Sequence, residues 1–368
     1  MKIIDKYILK NIFVSYIFSH FILIIFFIII KIADLLDKVI SGNISFFSLI
    51  KLILYIIPSL NSFIFPIAIL LSILLVFSSL SANNEILALK TAGVRPLRFS
   101  IVPFIFGLII FVISIINNIT IVPFTTEKFY QEFRNIAKEK IFQSINELRF
   151  NEVIRNLIIF PEKVNKEKKE MKNILIYDGT KSIKQIVLAK SCKYGMANNN
   201  IFFELFNGEI HIKGRKSGNY QLLKFASYKF NFDLYELEKN INLRLKDKES
   251  SIKQLQKKIK SAEKKGNLKR VRYLKMEIYK RFSLPFACII FVFIAMPFGL
   301  TNVKNPKSWS IFILILTIFL YYIFLIIASN FVKKGSLSPF LGAWLPNIIF
   351  SIIAGYLFYL CEKEKWIF

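Results

Sequence analysis

The chain is short of acids, cysteines and histidines, and each shortage closes off a kind of chemistry. Among its 368 residues Asp and Glu number 24 against 51 Lys and Arg, giving a formal net charge of +27. Of the 3 cysteines, Cys288 and Cys361 fall in or beside apolar runs and Cys192 stands alone. That is neither a disulfide framework nor zinc spacing, so all three thiols read as structural and no metal site is expected. The phosphate loop Gly-x-x-x-x-Gly-Lys-Ser/Thr is missing too: Lys181-Ser182 follows Gly179-Thr180 without the upstream glycine. The chain is therefore expected to have no catalytic residues for ATP hydrolysis and to bind no cofactor. Basic charge alone would fit nucleic acid. The apolar runs point elsewhere, and no nucleic-acid partner is expected.

What the chain has in quantity is hydrophobic length. It is 54% hydrophobic, with 39 Phe and a mean hydropathy of +0.49. A bilayer core takes about 20 apolar residues in a helix. Six runs meet that length: Asn11–Ile30, Leu52–Asn84, Phe99–Thr126, Phe282–Val303, Ser308–Val332 and Gly335–Cys361. The first is too rich in large residues, and lacks a small-residue cleavage site, for a removable signal peptide. It reads as a retained span.

Basic residues flank these runs unevenly. Lys2, Lys6 and Lys10 precede the first, and Lys90, Arg95 and Arg98 separate the second from the third. Lys304 and Lys307 separate the fourth from the fifth, and Lys363 and Lys365 follow the sixth. The positive-inside rule then places both termini in the cytoplasm, and an even number of spans agrees. The long middle segment is placed outside, since long domains cross largely regardless of their charge.

The fold class expected is an α-helical polytopic membrane protein, three spans and three, with an inserted all-β, jellyroll-like periplasmic domain. Residues 1–126 would hold spans one to three, with a cytoplasmic coupling helix at about 82–96. Residues 127–235 carry strand patterns: Asn173–Thr180 ends in a turn signal, Ile201–Ile212 has Asn-Gly between two β-rich runs, and Tyr228–Leu234 alternates with period two. A hairpin at Asn207-Gly208 and a small sandwich or open jelly roll are the expectation. Residues 236–280 read as an amphipathic helical connector: Ile252, Leu255, Ile259 and Ala262 recur at three and four, and Gly266-Asn267 interrupts. Residues 281–368 would hold spans four to six.

A few polar groups stand out against this background. Glu85 opens a short polar segment between spans two and three, where an acid suits a helix N-terminus; Gly93 and Pro96 mark its end. Lys31, Asp34 and Lys38 share one helix face at the end of span one, either as an interfacial anchor or as phosphate-binding cations. Glu277 and Arg281 are one helical turn apart at the start of span four, which fits a helix-supporting ion pair or a substrate contact. His20 within span one fits a helix-packing hydrogen bond. Phe203 and Phe230 lie on β-like runs, either as ordinary core or as the lining of a greasy path.

Several of these segments, in order, resemble the lipopolysaccharide-export permeases of the LptF/LptG (YjgP/YjgQ) family. The resemblance rests on Ile4-Asp-Lys-Tyr-Ile-Leu9, Ser81–Val94, Glu277–Pro285 with Met296-Pro-Phe-Gly299, and Gly335–Asn347. Arg281–Ala287 with Trp344–Asn347 leans toward LptF, whereas Ile29–Asp34 looks more like LptG. The resemblance implies an inner-membrane permease that pairs with a second permease and a cytoplasmic ABC ATPase dimer (LptB-like), which uses the ATP. It implies extraction of lipopolysaccharide and its transfer to a periplasmic bridge (LptC/LptA-like). Glu85, Ala88 and Gly93 would then be ATPase-coupling residues, and Lys31, Lys38, Arg281, Phe203 and Phe230 candidate lipid contacts. A membrane-anchored scaffold or binding protein with a β domain remains the alternative from another class. It would tolerate Glu85→Arg, which a permease would not.

Overall fold

The computed structural model describes residues 3–39, 46–94, 96–143, 145–154, 157–166, 168–179, 185–197, 200–213, 220–233, 247, 249–300 and 306–363. The chain divides into two units, Met1–Asp34 with Leu52–Phe129 and Leu245–Phe368, and Leu35–Lys51 with Tyr130–Arg244.

The first unit is helical. In chain order the helices are α1 (Ile3–Val39), α2 (Phe46–Ala82), α3 (Glu85–Thr91), α4 (Pro96–Ile116), a π-helical turn (Asn117–Ile121) and α5 (Val122–Gln143), of which residues 35–39, 46–51 and 130–143 fall in the second unit. After the strands come α6 (Ile252–Lys264), α7 (Leu268–Gly299), α8 (Pro306–Lys334) and α9 (Pro339–Glu362). Among the described residues six helices are long and apolar enough to cross a membrane: Ile3–Lys31, Phe47–Ala82, Arg98–Phe133, Leu268–Gly299, Ser308–Lys334 and Pro339–Glu362. This is a multi-pass membrane protein. The third span runs on through the π turn, and the fourth begins in the charged segment at Leu268.

The bundle closes where small residues let helices approach, because lipid offers apolar side chains as good a solvent as another helix does. A Cβ at Gly107 would come within 2.6 Å of Val292, one at Gly299 within 2.6 Å of Phe77, and one at Gly342 would overlap Val332. Polar bonds complete the contacts. The Tyr321 hydroxyl donates to Asn347 Oδ1 at 2.9 Å, and Asn347 Nδ2 to the Ser283 carbonyl at 2.6 Å. Arg272 caps the end of α8, its Nε on the Val332 carbonyl and its Nη2 on that of Lys333, both at 3.1 Å. There the free carbonyls and the helix dipole both favour a cation. Helix α6 starts at a capping box, Ser251 with Gln254, and packs Leu255, Ile259 and Ala262 against Val271 and Leu274 of α7.

The second unit carries a six-stranded antiparallel sheet: β1 (Asn151–Ile154), β2 (Leu157–Asn165), β3 (Glu170–Asp178), β4 (Gln185–Ala197), β5 (Asn200–Lys213) and β6 (Tyr220–Asp233). Neighbours in the sheet are consecutive in sequence, an up-and-down meander. The inserted domain is all-β, and among the described residues it shows no crossover of the kind a complete jelly roll has.

The hairpin expected at Asn207-Gly208 is not there: β5 runs unbroken through both residues. Asn207 has φ +51° and Asn173 in β3 has φ +47°. Both lie on one row across the sheet, Glu162, Asn173, Lys190, Asn207 and Ala226, that the strand pairing skips while the register on either side is kept. Across this row the buried parity inverts. In β3 it passes from Met171 to Ile174 and Ile176, in β4 from Val187 and Ala189 to Cys192 and Tyr194, and in β5 from Phe203 and Leu205 to Ile210. Residues from both sides join one apolar cluster. An unpaired residue in each successive strand creases the sheet, as bulges do at sheet corners, so that both halves face a common core. Asparagine tolerates the left-handed conformation that a crease requires, which is why its signal in sequence looks like that of a turn. Gly208 follows because a Cβ there would overlap the Leu188 carbonyl.

Candidate functional site

The loop between α2 and α4 builds a small, rigid knob. Asn84 takes φ +59°, and its carbonyl accepts the amide of Ala88 at 3.0 Å, which starts α3. Gly93 takes φ +83°. Its amide donates to the Lys90 carbonyl at 2.9 Å, and that of Val94 to the Leu89 carbonyl at 3.1 Å. These two bonds form a Schellman closure, and the positive φ favours glycine. Ile86 is 3% exposed and anchors the knob in the helical core, with Leu89 and Val94 packed beside it. The outer face is the reverse: Leu87 is 58% exposed, and Ala88 and Thr91 also face out. Glu85 is half-buried, with Asn83 Nδ2 donating to its Oε1 at 3.4 Å. The fold thus brings Glu85, Ala88 and Gly93 into one element, with the apolar Leu87–Ala88 tip held on a buried pedestal.

At the far end of α4 the π turn makes a second polar site. A π turn breaks the i to i−4 ladder and leaves a carbonyl to be satisfied from outside. Arg281 supplies the donor, its Nη1 on the Asn118 carbonyl at 2.8 Å and its Nη2 on the Ser250 carbonyl. Asn117 Nδ2 donates to the Pro58 carbonyl of α2 at 2.9 Å, and the Ser62 hydroxyl bonds Asn118 Oδ1. Beside them Lys280 Nζ meets Glu277 Oε1 at 2.8 Å, with both side chains below a tenth exposed. Asp247 collects Lys258 at 3.1 Å and Arg270 at 2.6 Å, and the Lys258 ammonium also donates to the Ser250 hydroxyl at 2.8 Å. Arg281 itself is 5% exposed. Glu277 is thus held by the lysine one turn on, and Arg281 staples the backbone of two other segments.

The remaining sequence candidates scatter. Lys31 is half-buried on α1; the side chains of Asp34 and Lys38 lie outside the described residues. Phe203 and Phe230 are cross-strand partners, 1% and 3% exposed, their rings 6.4 Å apart in the β core. His20 stacks between Tyr16 and Phe65 at 5.5 and 5.3 Å. Sequence reasoning passed over Asn117-Asn118, although adjacent asparagines deep in an apolar run are a readable sign. It also missed an ion pair between Asp5 of α1 and Arg98 of α4, 2.7 Å apart, for which the sequence offers no sign.

Six apolar helices with an inserted β unit define a multi-pass membrane protein. A family model described as lipopolysaccharide export system permease LptF/LptG matches residues 6–360, and the chain belongs to that family. It is also 27% identical over 200 residues to an uncharacterized protein of Rickettsia prowazekii (strain Madrid E). The aligned stretch is 54% of each chain, so the match spans about half the length of that relative.

Proposed function

We propose that this chain is the permease subunit of an ATP-driven exporter that extracts lipopolysaccharide from the inner membrane and passes it to a periplasmic bridge. The observation that carries the reading is the α3 knob. Its Leu87–Ala88 tip is exposed while Ile86, Leu89 and Val94 pack inward, and an exposed apolar tip on a rigid base fits a groove on a partner protein. Family membership supports a partner that is a cytoplasmic ATPase dimer, with Glu85, Ala88 and Gly93 as the coupling residues.

The basic residues flanking the spans support cytoplasmic termini and a cytoplasmic knob. Spans one and five are the least buried of the six, with 17% and 28% of their apolar windows inside the unit against 78% for span two. Two such faces are suited to a second permease and to lateral access for a lipid. In this reading Lys31 attracts a head-group phosphate. Arg281 acts as a structural staple, and Phe203 and Phe230 serve as core.

Ala88→Glu tests the reading. Tagged wild-type chain is expected to bring down an ABC ATPase and a second permease. The variant is expected to insert and melt like wild type, since exposed positions shift stability by about 0.5 kcal/mol or less, yet to lose the ATPase. A variant that retains the ATPase would show that the knob is not its dock, and a wild-type chain that recovers no ATPase would leave the anchored-scaffold reading standing.

A further inference from the structure

The ion pair that the sequence did not announce joins two parts of the helical unit that the permease reading needs to move together. Arg98 lies in the first turn of α4, just past Gly93 and Pro96, where the knob's rigid closure feeds into span three. A cation is disfavoured by the helix dipole at that end. Its own helix therefore does not explain it. Asp5, in the first turn of α1, does: Arg98 Nη2 donates to Asp5 Oδ2 at 2.7 Å, with the acid side chain 10% exposed and the arginine 33%.

The packing of α1 follows the same geometry. Asp5, Ile8, Ile12, Tyr16 and Ser19 form a buried stripe at three- and four-residue spacing. It shares a core cluster with Ile86 of the knob and Phe99 of α4. Beyond Ser19, among the residues up to Lys31, no side chain on α1 is as deeply buried. Phe21, Ile22, Phe26 and Ile29 are 63%, 56%, 57% and 62% exposed. Span one is thus buried most deeply at the end beside the knob, and beyond Ser19 it packs through half-buried Leu23, Ile24 and Phe27. A helix held most deeply at one end turns a small displacement there into a larger one farther along its length.

Resting on the permease reading, we propose that Asp5 and Arg98 form a clasp that carries motion of the knob into span one. Asp5 is then a positioning residue for lateral lipid access at the outer end of that span. The charge matters as well as the packing: the carboxylate fixes Arg98 by a charge-assisted bond, and its removal leaves a half-buried cation at a helix N-terminus.

The test uses the full complex, purified with its ATPase and second permease and reconstituted in nanodiscs with purified rough lipopolysaccharide. Asp5→Asn, Arg98→Asp and the double swap Asp5→Arg/Arg98→Asp are compared for ATP hydrolysis, ATP-dependent lipid release and subunit recovery. A spin-label distance from Ile29 to span five is recorded with and without nucleotide. Asp5→Asn should keep the ATPase bound and hydrolysing. Lipid released per ATP should fall about tenfold, within the usual range of coupling between sites, and the nucleotide-dependent distance change at Ile29 should be lost. The swap should restore both.

Wild-type release per ATP in Asp5→Asn, with an unaltered distance change, would overturn the clasp and leave the permease reading intact. So would a swap that assembles but rescues neither readout, since that is the signature of packing alone. Failure of the wild-type chain to recover any ATPase would overturn the permease reading and the clasp with it.

Discussion

The two units of this chain solve the problem of holding a shape in opposite ways. In the β unit, apolar side chains alternate inward, change parity at a crease and fill one core; position follows from hydrophobic burial. In the helical unit apolar side chains face lipid as readily as each other: Phe18, Phe21 and Ile29 are 70%, 63% and 62% exposed. There, position follows from close approach at Gly107, Gly299 and Gly342 and from polar atoms that lipid cannot satisfy. A polar group buried in the helical unit therefore carries structural information that an apolar one does not.

The largest effect expected from this contrast is at Arg281. Arg281→Met keeps much of the volume but leaves the Asn118 and Ser250 carbonyls without their donor, and Glu277 with one cation fewer. Losing one partner of such a buried charged network costs about 3 kcal/mol or more. Arg281→Lys should recover little of that, because a single ammonium cannot reproduce the two-pronged grip. Thermal melting of the detergent-solubilised chain decides it. A Met variant that melts with wild type would mean that the π turn is satisfied without the staple, and the contrast between the units would weaken.

A smaller effect is expected at the crease. Gly208→Ala pushes a methyl into the Leu188 carbonyl, which belongs to backbone and cannot swing away. Gly195→Ala meets the ring of Phe202, its cross-strand partner, and a ring can turn. The first should cost about 2 kcal/mol and the second under about 1 kcal/mol. Hydrogen exchange over β4–β6 in the full chain measures both. Equal protection in the two variants would show that the crease yields like an ordinary strand.

The difference between the units also explains what was legible beforehand. Span number is written in hydropathy, because lipid demands about 20 apolar residues in a helix whatever they pack against. Strand positions are written in period-two alternation. What fails is anything decided by a third party. Asn207-Gly208 has the chemistry of a hairpin, yet the matching irregularities in four neighbouring strands make it one point on a crease. Glu277 and Arg281 have the spacing of a helical pair, but that spacing does not show that the Asn118 and Ser250 carbonyls also take the guanidinium. For the knob, the sequence groups Glu85, Ala88 and Gly93, but only the burial of Ile86 shows that Leu87 and Ala88 face outward.

The smallest expected effect leaves the fold untouched and reads the β core directly. Cys192 is 1% exposed, and burial pushes its thiol up to about 12, with the nearby Glu204 carboxylate acting in the same direction. Burial also raises the phenol of Tyr194, two residues on. Only the thiolate attacks an alkylating reagent. With Cys288 and Cys361 replaced by Ala, labelling at pH 8 should proceed through about one thiol in ten thousand, against roughly one in four for an unburied cysteine. The rate should climb about tenfold per pH unit toward 11, because the thiolate fraction does so while the thiol predominates. Gly208→Ala, by loosening the crease, should speed labelling at fixed pH through opening alone. Rapid, pH-independent labelling of the wild-type thiol would mean that the β core is open to water. The sharp line between a unit held by apolar burial and one held by polar staples would then not survive.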